Sequence, residues 1–189
     1  AKAQKDGFEV VYSDTDSCFL LLGEKKMDEA MKFMKRVNKD LPGHMELEYE
    51  GHFTRGIFVA LKGSDKGAKK KYALIREDGS MKITGFETVR RNWSDMAKNV
   101  QKEILRMVLS GKEEEAVEHV KDVLSSLRDG AVDLNQLVMR TQLTRPLSKY
   151  KSVGPHVKVA RKLAAAGEKV EPGMVVEYII TKGSGTVGD

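Results

Sequence analysis

The sequence predicts an α+β fold, in which an antiparallel sheet with one packed helix is followed by a mainly helical half. Two observations carry this prediction. Up to Gly85, short apolar runs alternate with turn sequences, a pattern typical of β-hairpins. Beyond Gly85, apolar residues recur at helical spacing between helix start and stop signals. We therefore expect two parts, residues 1–85 and 86–189.

The first predicted hairpin has acidic residues at its turn. The runs 8–12 and 18–22 are predicted strands, and the polar SDTDS between them contains Asp14 and Asp16. Alternate residues of an extended segment share a face, so we expect the two carboxylates to converge. Like charges at such short range need a proton or a cation between them, which favours a divalent metal. Turn-capping acids, which are common in hairpins, are the alternative.

A helix and an acidic strand are predicted next. Apolar residues recur at helical spacing over 27–41, before Pro42 and Gly43, and we expect this helix to pack across the sheet. In 45–50, apolar residues alternate with glutamates, which predicts a strand with its acids on one face. That face carries Glu48 and Glu50.

A lysine-rich loop and a second hairpin complete the first half. The run 57–61 predicts a buried strand, and LKGSDKGAKKK predicts a glycine- and lysine-rich loop. The apolar runs KYALI and MKI flank REDGS, so they predict a hairpin with Asp78 and Gly79 at its turn.

The second half is predicted to contain three helices and a closing strand. Ser94 is a candidate N-cap of a first helix that ends at Gly111. A second helix should turn Val117, Val120, Leu124 and Leu127 inward. A third is bounded by Pro155 and Gly167, and MVVEYIIT is the strand. We expect Trp93, at the entry to this half, to be a core residue.

Composition narrows the class of protein. The chain has 189 residues, of which 40% are hydrophobic and 32% charged, and no apolar run approaches the roughly 20 residues of a membrane span. A single cysteine excludes an internal disulfide and a cysteine-rich metal site. We therefore expect a cytoplasmic protein without a membrane partner. The net charge of +5 resides in residues 62–91, so a polyanionic partner should contact this stretch first.

Several segments, in order, resemble motifs of family B DNA polymerases, particularly the archaeal enzymes. VVYSDTDS resembles the metal-binding motif C of the palm, MELEYEGHFTRGIFV the LExE strand, and KKKYA the lysine-lysine-basic-tyrosine motif. GFETVRRNWS resembles the start of the thumb, and QLTRPLSKYKSVGPHVKVARKLAAAG and YIITKGSG resemble later thumb segments. The resemblance implies that residues 1–85 are the C-terminal part of a palm and 86–189 a C-terminally incomplete thumb.

The sequence also departs from the family pattern. Residues 61–68 form an insertion before KKKYA. Motif A, which supplies another metal-binding aspartate, and motif B, whose lysine grips the triphosphate, do not occur in these 189 residues, nor do the exonuclease and N-terminal domains. We therefore expect that a larger subunit or an N-terminal portion supplies them and that this chain is inactive alone. The small subunit of a split enzyme is the interpretation we favour, and a cut fragment is the alternative.

The resemblance implies roles for individual residues in Mg²⁺-dependent transfer of dNTPs to primer-template DNA. Asp16 becomes a direct ligand of two Mg²⁺ ions, with Asp14 beside it as the second catalytic aspartate and a weaker or alternate metal ligand. Glu50 and Glu48 are secondary metal candidates. Tyr12, Ser17 and Leu20 become structural supports of the hairpin. A sliding clamp is a further candidate partner.

Basic and aromatic residues become candidates for DNA contacts. Those of the lysine motif suit the phosphates and minor groove at the primer end, and those of the second half suit backbone phosphates. Histidine ligation of a metal is not expected at His156, because no second histidine lies at ligand spacing. The DNA-binding candidates are Lys69, Lys70, Lys71, Tyr72, Arg90, Arg91, Arg145, Lys149, Tyr150, Lys151 and His156.

The same residues fit several other functions less well. An EF-hand fails because Cys18 and Phe19 stand where its loop needs an acid and a glycine. A DxD phosphatase lacks the hydroxyl residue expected at position 18, and neither it nor a DxD glycosyltransferase finds its substrate-binding machinery here. A duplex-DNA-binding module or accessory subunit without catalysis of its own remains the alternative function.

Overall fold

The structure is a computed structural model, which describes residues 2–60, 63, 67–181 and, by their backbone, 186–187. The chain divides into two compact units, residues 1–82 and 83–189. Within the described residues, helices and antiparallel sheets are mixed, so the predicted α+β class is confirmed.

The first unit is built from two small antiparallel sheets and one long helix. Strands β1 and β2 form a hairpin, and β3, β4 and β5 follow one another in a second sheet, whose last strand runs across the division between the units. The elements are α1 (Lys2–Lys5), β1 (Glu9–Asp14), β2 (Ser17–Leu21), α2 (Met27–Lys39), β3 (Arg55–Ala60), β4 (Gly67–Ile75) and β5 (Met81–Thr84).

Local chemistry explains where α2 begins and which face it buries. The Glu29 carboxylate accepts a hydrogen bond from the Lys26 backbone N–H at 2.9 Å, which satisfies a free donor at the start of the helix. One turn further, Phe33 is buried and packs on Phe8, with 5.2 Å between the ring centroids. This aromatic pair fixes α2 against the start of β1.

The described residues of the second unit form three α-helices and a three-stranded antiparallel sheet of order β6-β7-β8. Ser94 caps α3, since its Oγ accepts a hydrogen bond from the Ala97 backbone N–H, and Pro155 opens α5. Its elements are α3 (Asp95–Leu109), α4 (Glu113–Arg128), β6 (Met139–Gln142), α5 (Pro155–Ala165), β7 (Val175–Ile180) and β8 (Thr186–Val187), with 3₁₀ turns at Glu87–Val89, Leu134–Leu137 and Leu147–Lys149. Of this sheet, only β7 was predicted from the sequence.

A compact apolar cluster joins α5 to the sheet of the second unit. Leu143, which follows β6, is 1% exposed and lies against Val159 and Ala160 of α5 and Val176 and Tyr178 of β7. Alternate residues of β7 point to opposite faces, so Val176 is buried whereas Val175 is exposed. This cluster is the core beneath the start of α5.

Two predictions for the first unit are wrong. Residues 45–50 form no strand, because the Asn38 side chain bonds both the N–H and the C=O of Leu47 and so takes up groups that a strand would offer. The three lysines at 69–71 lie within β4, which begins at Gly67, and not in a loop. The insertion predicted at 61–68 falls mostly outside the described residues.

Two burial predictions for the second unit are also wrong. Val117, Leu124 and Leu127 of α4 are exposed, and Val120 is only half-buried. Trp93 is 41% exposed, because it lies in the turn that leads into α3. Within the described residues, no helix is long and apolar enough to cross a membrane.

The alternation along β7 yields a matched test of the core. Val176→Ala removes two methyl groups from the packed cluster and should lower the free energy of unfolding by about 2 kcal/mol. Val175→Ala, on the exposed face of the same strand, should change it by less than about 0.5 kcal/mol. Chemical denaturation of both variants measures the difference, and equal losses would contradict the assigned faces of β7.

Candidate functional site

The tip of the β1–β2 hairpin is a two-residue turn that presents both aspartates. Asp14 pairs with Ser17 across the ladder, so Thr15 and Asp16 form the turn. Thr15 has φ = 31°, a left-handed conformation that costs free energy in a residue with a side chain. Its hydroxyl donates a hydrogen bond to the Asp14 carboxylate at 3.1 Å. The turn is therefore held in part by one of the acids it presents.

Asp16 lies in a turn, which corrects the prediction that strand alternation brings the two carboxylates together. Strand alternation places the Asp14 side chain, which is only 15% exposed, but it does not extend to Asp16, which lies beyond the strand and is exposed. Both carboxylates nevertheless belong to the same hairpin tip, and carboxylate oxygens suit a hard cation such as Mg²⁺. In the described residues, no three acidic, histidine or cysteine side chains are grouped as a metal site. The pair therefore fits part of a divalent-cation site that needs further ligands.

Four aromatic rings join the hairpin to β3 and β4. Tyr12 of β1, Phe19 of β2, Phe58 of β3 and Tyr72 of β4 contact one another, with ring centroids between 5.3 and 6.0 Å apart. Tyr72 is buried at 8% exposure. Aromatic pairs in these tilted arrangements stabilise a core beyond the area they bury. The cluster holds the acidic hairpin against the strand that carries the lysines.

A hydrogen bond adds a specific link to this packing. The Lys70 backbone N–H donates to the Tyr12 hydroxyl at 2.7 Å. Lys70 has φ = 57°, the left-handed region, at the place where the β3–β4 register shifts, and its amide is therefore directed away from the regular ladder. Sequence patterns identify Tyr12 only as a support of the hairpin. Its bond spans 58 positions along the chain, so no local spacing encodes it.

The lysine motif thus lies beside the aspartates. The Lys70 ammonium is 3.8 Å from the Asp14 carboxylate, an ion pair between an exposed lysine and a largely covered acid. Lys69 is exposed and Lys71 half-buried. The structure therefore brings one predicted DNA-binding residue into contact with one predicted metal ligand.

The secondary metal candidates lie in a different setting. Glu50 forms an ion pair with Lys82 of β5, and Glu48 is exposed in the irregular segment that replaces the predicted strand. Glu50 already has a cationic partner, so its negative charge is compensated without a metal ion. Metal binding by Glu48 or Glu50 stays a prediction.

The second unit brings together three of its predicted DNA-binding residues. The Arg145 guanidinium lies 5.5 Å from the centre of the Tyr150 ring, and His156 meets the same ring edge-on at 5.8 Å. Tyr150 also accepts a hydrogen bond from the Thr144 backbone N–H, and hydrogen bonding to Thr144 lowers the pKa of the phenol. Burial lowers the pKa of His156. The other four candidates are exposed, namely Arg90, Arg91, Lys149 and Lys151.

Comparison with known proteins decides the family. The model of DNA polymerase family B matches residues 1–188. The chain belongs to this family. As a family B member, it is 46% identical over 98% of its length to a DNA polymerase of Thermococcus kodakarensis and 40% identical over its full length to one of Methanocaldococcus jannaschii.

A solved structure agrees with the sequence relatives. The family B DNA polymerase from the hyperthermophilic archaeon Pyrobaculum calidifontis matches 98% of this chain with a TM-score of 0.66 and 31% sequence identity. The chain covers 23% of that structure and 11% of each of the two sequence relatives named above. It therefore spans a tenth to a quarter of the length of the family B proteins it matches.

The link between Tyr12 and Lys70 can be tested at one atom. Tyr12→Phe keeps the ring in the aromatic cluster but removes the acceptor for the Lys70 N–H. A hydrogen bond contributes about 1 kcal/mol, so hydrogen exchange at the Lys70 amide should be about fivefold faster in this variant. Tyr49→Phe, at an exposed tyrosine, is the matched control. Unchanged exchange at Lys70 in Tyr12→Phe would contradict the bond.

The lowered pKa of His156 predicts a pH dependence of stability. When the folded-state pKa lies below the unfolded value, near 6.5, the unfolded chain binds the proton more readily. The contribution of His156 is therefore complete above about pH 6.5 and is lost as the pH falls through the folded-state pKa. Denaturation across pH 5–8 should show a shallower acid loss for His156→Gln than for wild type. An equally steep acid loss in His156→Gln and wild type would contradict this contribution of His156.

Proposed function

We propose that this chain supplies part of the active site of a DNA-directed DNA polymerase, together with part of its grip on primer-template DNA. The observation that carries the proposal is the contact between the aspartate hairpin and the lysine strand, with Lys70 and Asp14 paired at 3.8 Å in a member of DNA polymerase family B. A polymerase needs carboxylates for metal and cations for phosphates at the same place, and this unit has both.

In this proposal, the two aspartates hold the catalytic metal ions. Asp16, exposed at the turn, is the direct ligand of both ions, and Asp14 binds beside it from the end of β1. Two bound Mg²⁺ ions stabilise the attacking and leaving oxygens of nucleotidyl transfer. Tyr12 and the aromatic cluster keep the hairpin tip, which carries Asp14 and Asp16, in place against β4.

The lysine strand and the second unit hold the duplex. Lys69 and Lys70 are exposed cations at the bulged part of β4, suited to phosphates next to the primer end. Tyr72 is buried in the aromatic cluster and contributes to the duplex grip by supporting the strand that carries these lysines. Arg145 and the residues around Tyr150 precede α5 in the chain, and the dipole of that helix favours a phosphate at its N-terminus.

The remaining parts of the active site come from elsewhere. We assign residues 1–85 to the palm and 86–189 to the thumb. A larger subunit or an N-terminal portion carries motif A, motif B and the exonuclease, and the chain is inactive until these are supplied. Primer-template DNA and dNTPs are the substrates, and a sliding clamp is a further candidate partner in the cytoplasm.

The catalytic role of Asp16 is tested by primer extension. The chain combined with a polypeptide that carries motifs A and B should extend a primer in Mg²⁺, and Asp16→Ala should reduce extension at least about a thousandfold because a direct metal ligand is lost. Asp122→Ala, at an exposed aspartate of α4, should keep wild-type extension. Wild-type extension by the Asp16→Ala assembly would contradict the role, and salt-sensitive duplex binding without extension in any mixture would favour the binding module.

The DNA grip is tested by the salt dependence of duplex binding. Each phosphate contact contributes about 0.9 to the slope of log K against log salt. Replacing Lys69 and Lys70 together with alanine should therefore reduce that slope by about 2. The matched control replaces Lys35 and Lys39, two exposed lysines of α2, and should change the slope little. Equal slopes for the Lys69/Lys70 variant and wild type would contradict phosphate contacts by these lysines.

A further inference from the structure

In the proposed function, Lys70 lies where it can bind two different partners, the Asp14 carboxylate and a DNA phosphate. Its ammonium lies 3.8 Å from the Asp14 carboxylate, while its side chain is 70% exposed and within reach of solvent-borne ligands. Asp14 is covered to 85% and its carboxylate already pairs with the Lys70 ammonium, so a cation that binds this carboxylate competes with Lys70. One lysine therefore stands where a metal ligand and a phosphate contact are both proposed.

The backbone explains how Lys70 reaches this position. Successive residues of a regular strand point to opposite faces, but Lys70 has φ = 57° and departs from that alternation. This conformation is unfavourable for a residue with a Cβ atom and persists because its surroundings hold it. The Tyr12 hydroxyl accepts the Lys70 N–H at 2.7 Å, and the Tyr12 ring packs on Tyr72 two residues further along. Tyr12 thus fixes the starting point of the Lys70 side chain beside Asp14.

We propose that Lys70 neutralises Asp14 until a divalent cation takes its place, and that Lys70 moves to a DNA phosphate in the same exchange. This inference rests on the proposed metal-binding and DNA-binding functions of the unit and names how they are coupled. An ion pair 3.8 Å long in which the lysine is exposed is weak, so Asp14 can release Lys70 readily. A phosphate that binds Lys70 removes the competitor of the metal, and a cation that binds Asp14 releases Lys70 for the phosphate.

Such an exchange makes the two binding events reciprocal. If duplex binding raises the metal affinity by some factor, metal binding must raise the duplex affinity by the same factor, because coupling free energies are symmetric. The chain would then favour having both ligands bound over having one. Lys69, which is exposed beside Lys70, should bind DNA without this coupling.

The exchange is tested by Mn²⁺ binding, followed by electron paramagnetic resonance, in the assembly with the polypeptide that carries motifs A and B. Only the Mn²⁺ sites that disappear in Asp16→Ala are counted, because DNA phosphates bind Mn²⁺ themselves. Lys70→Met removes the charge and keeps the length of the side chain, Lys70→Arg restores the charge, and Lys69→Met is the matched control. Each variant is titrated without DNA and with saturating primer-template duplex.

Without DNA, Lys70→Met should bind Mn²⁺ about two- to fivefold more tightly than wild type, the range expected for loss of a weak ion pair. Duplex should tighten Mn²⁺ binding by a similar factor in wild type, Lys70→Arg and Lys69→Met, and should have no such effect in Lys70→Met. Equal Mn²⁺ affinity of Lys70→Met and wild type without DNA would overturn the exchange alone. Absence of any Asp16-dependent Mn²⁺ site would overturn the proposed metal site, and the exchange with it.

Discussion

The packing of the acidic hairpin on β4 is the constraint on which the rest of the site depends. Four aromatic rings from four strands bury one another there, and the Tyr12 hydroxyl holds the backbone of Lys70. Without this contact, the hairpin of β1 and β2 would lose its packing on β3 and β4, and a two-stranded hairpin on its own is marginally stable in water. The same contact that stabilises the hairpin therefore also sets the distance between its acids and the lysines.

The electrostatics at the hairpin tip depend on the distance between the acids of the hairpin and the lysines of β4. Asp14 at the end of β1 and Asp16 in the turn are like charges that repel each other, and the unit offsets this repulsion with a cation of its own, Lys70 at 3.8 Å from Asp14. The ion pair is partly exposed and easily broken, which suits a site that must exchange ligands. A buried, fully bonded pair at the same place would be costly to open. The loose geometry is consistent with a site that is completed by metal and DNA.

Local patterns in the sequence predict where the helices and strands lie more reliably than they predict what packs against them. The hairpin around Asp14 was predictable because polar turn residues interrupt two apolar runs, and α5 because Pro155 and Gly167 mark its ends. Residues 45–50 show the limit, since their perfect alternation gives no strand when the Asn38 side chain takes the backbone groups of Leu47. Periodicity in α4 likewise aligned Leu124 and Leu127 on one stripe but could not say whether anything covers it.

The candidate site was predictable by residue type and not by geometry. The motif identifies Asp14, Asp16 and the lysines, but the left-handed backbone of Lys70 and its bond to Tyr12 depend on contacts between distant strands. These contacts place Lys70 beside Asp14. The family B motifs identify the candidate site residues, and the tertiary packing decides which of them interact.

The most direct measurement is the broadening of backbone amide signals in the NMR spectrum of this chain by substoichiometric Mn²⁺. If the aspartates hold the metal and the aromatic cluster holds β4 against them, the amides of Thr15, Asp16 and Lys70 should broaden first. Broadening that begins instead at the acidic residues 113–118 of α4, with Thr15 and Lys70 unaffected, would contradict the account. Broadening at Thr15 without Lys70 would contradict the packing of the hairpin on β4.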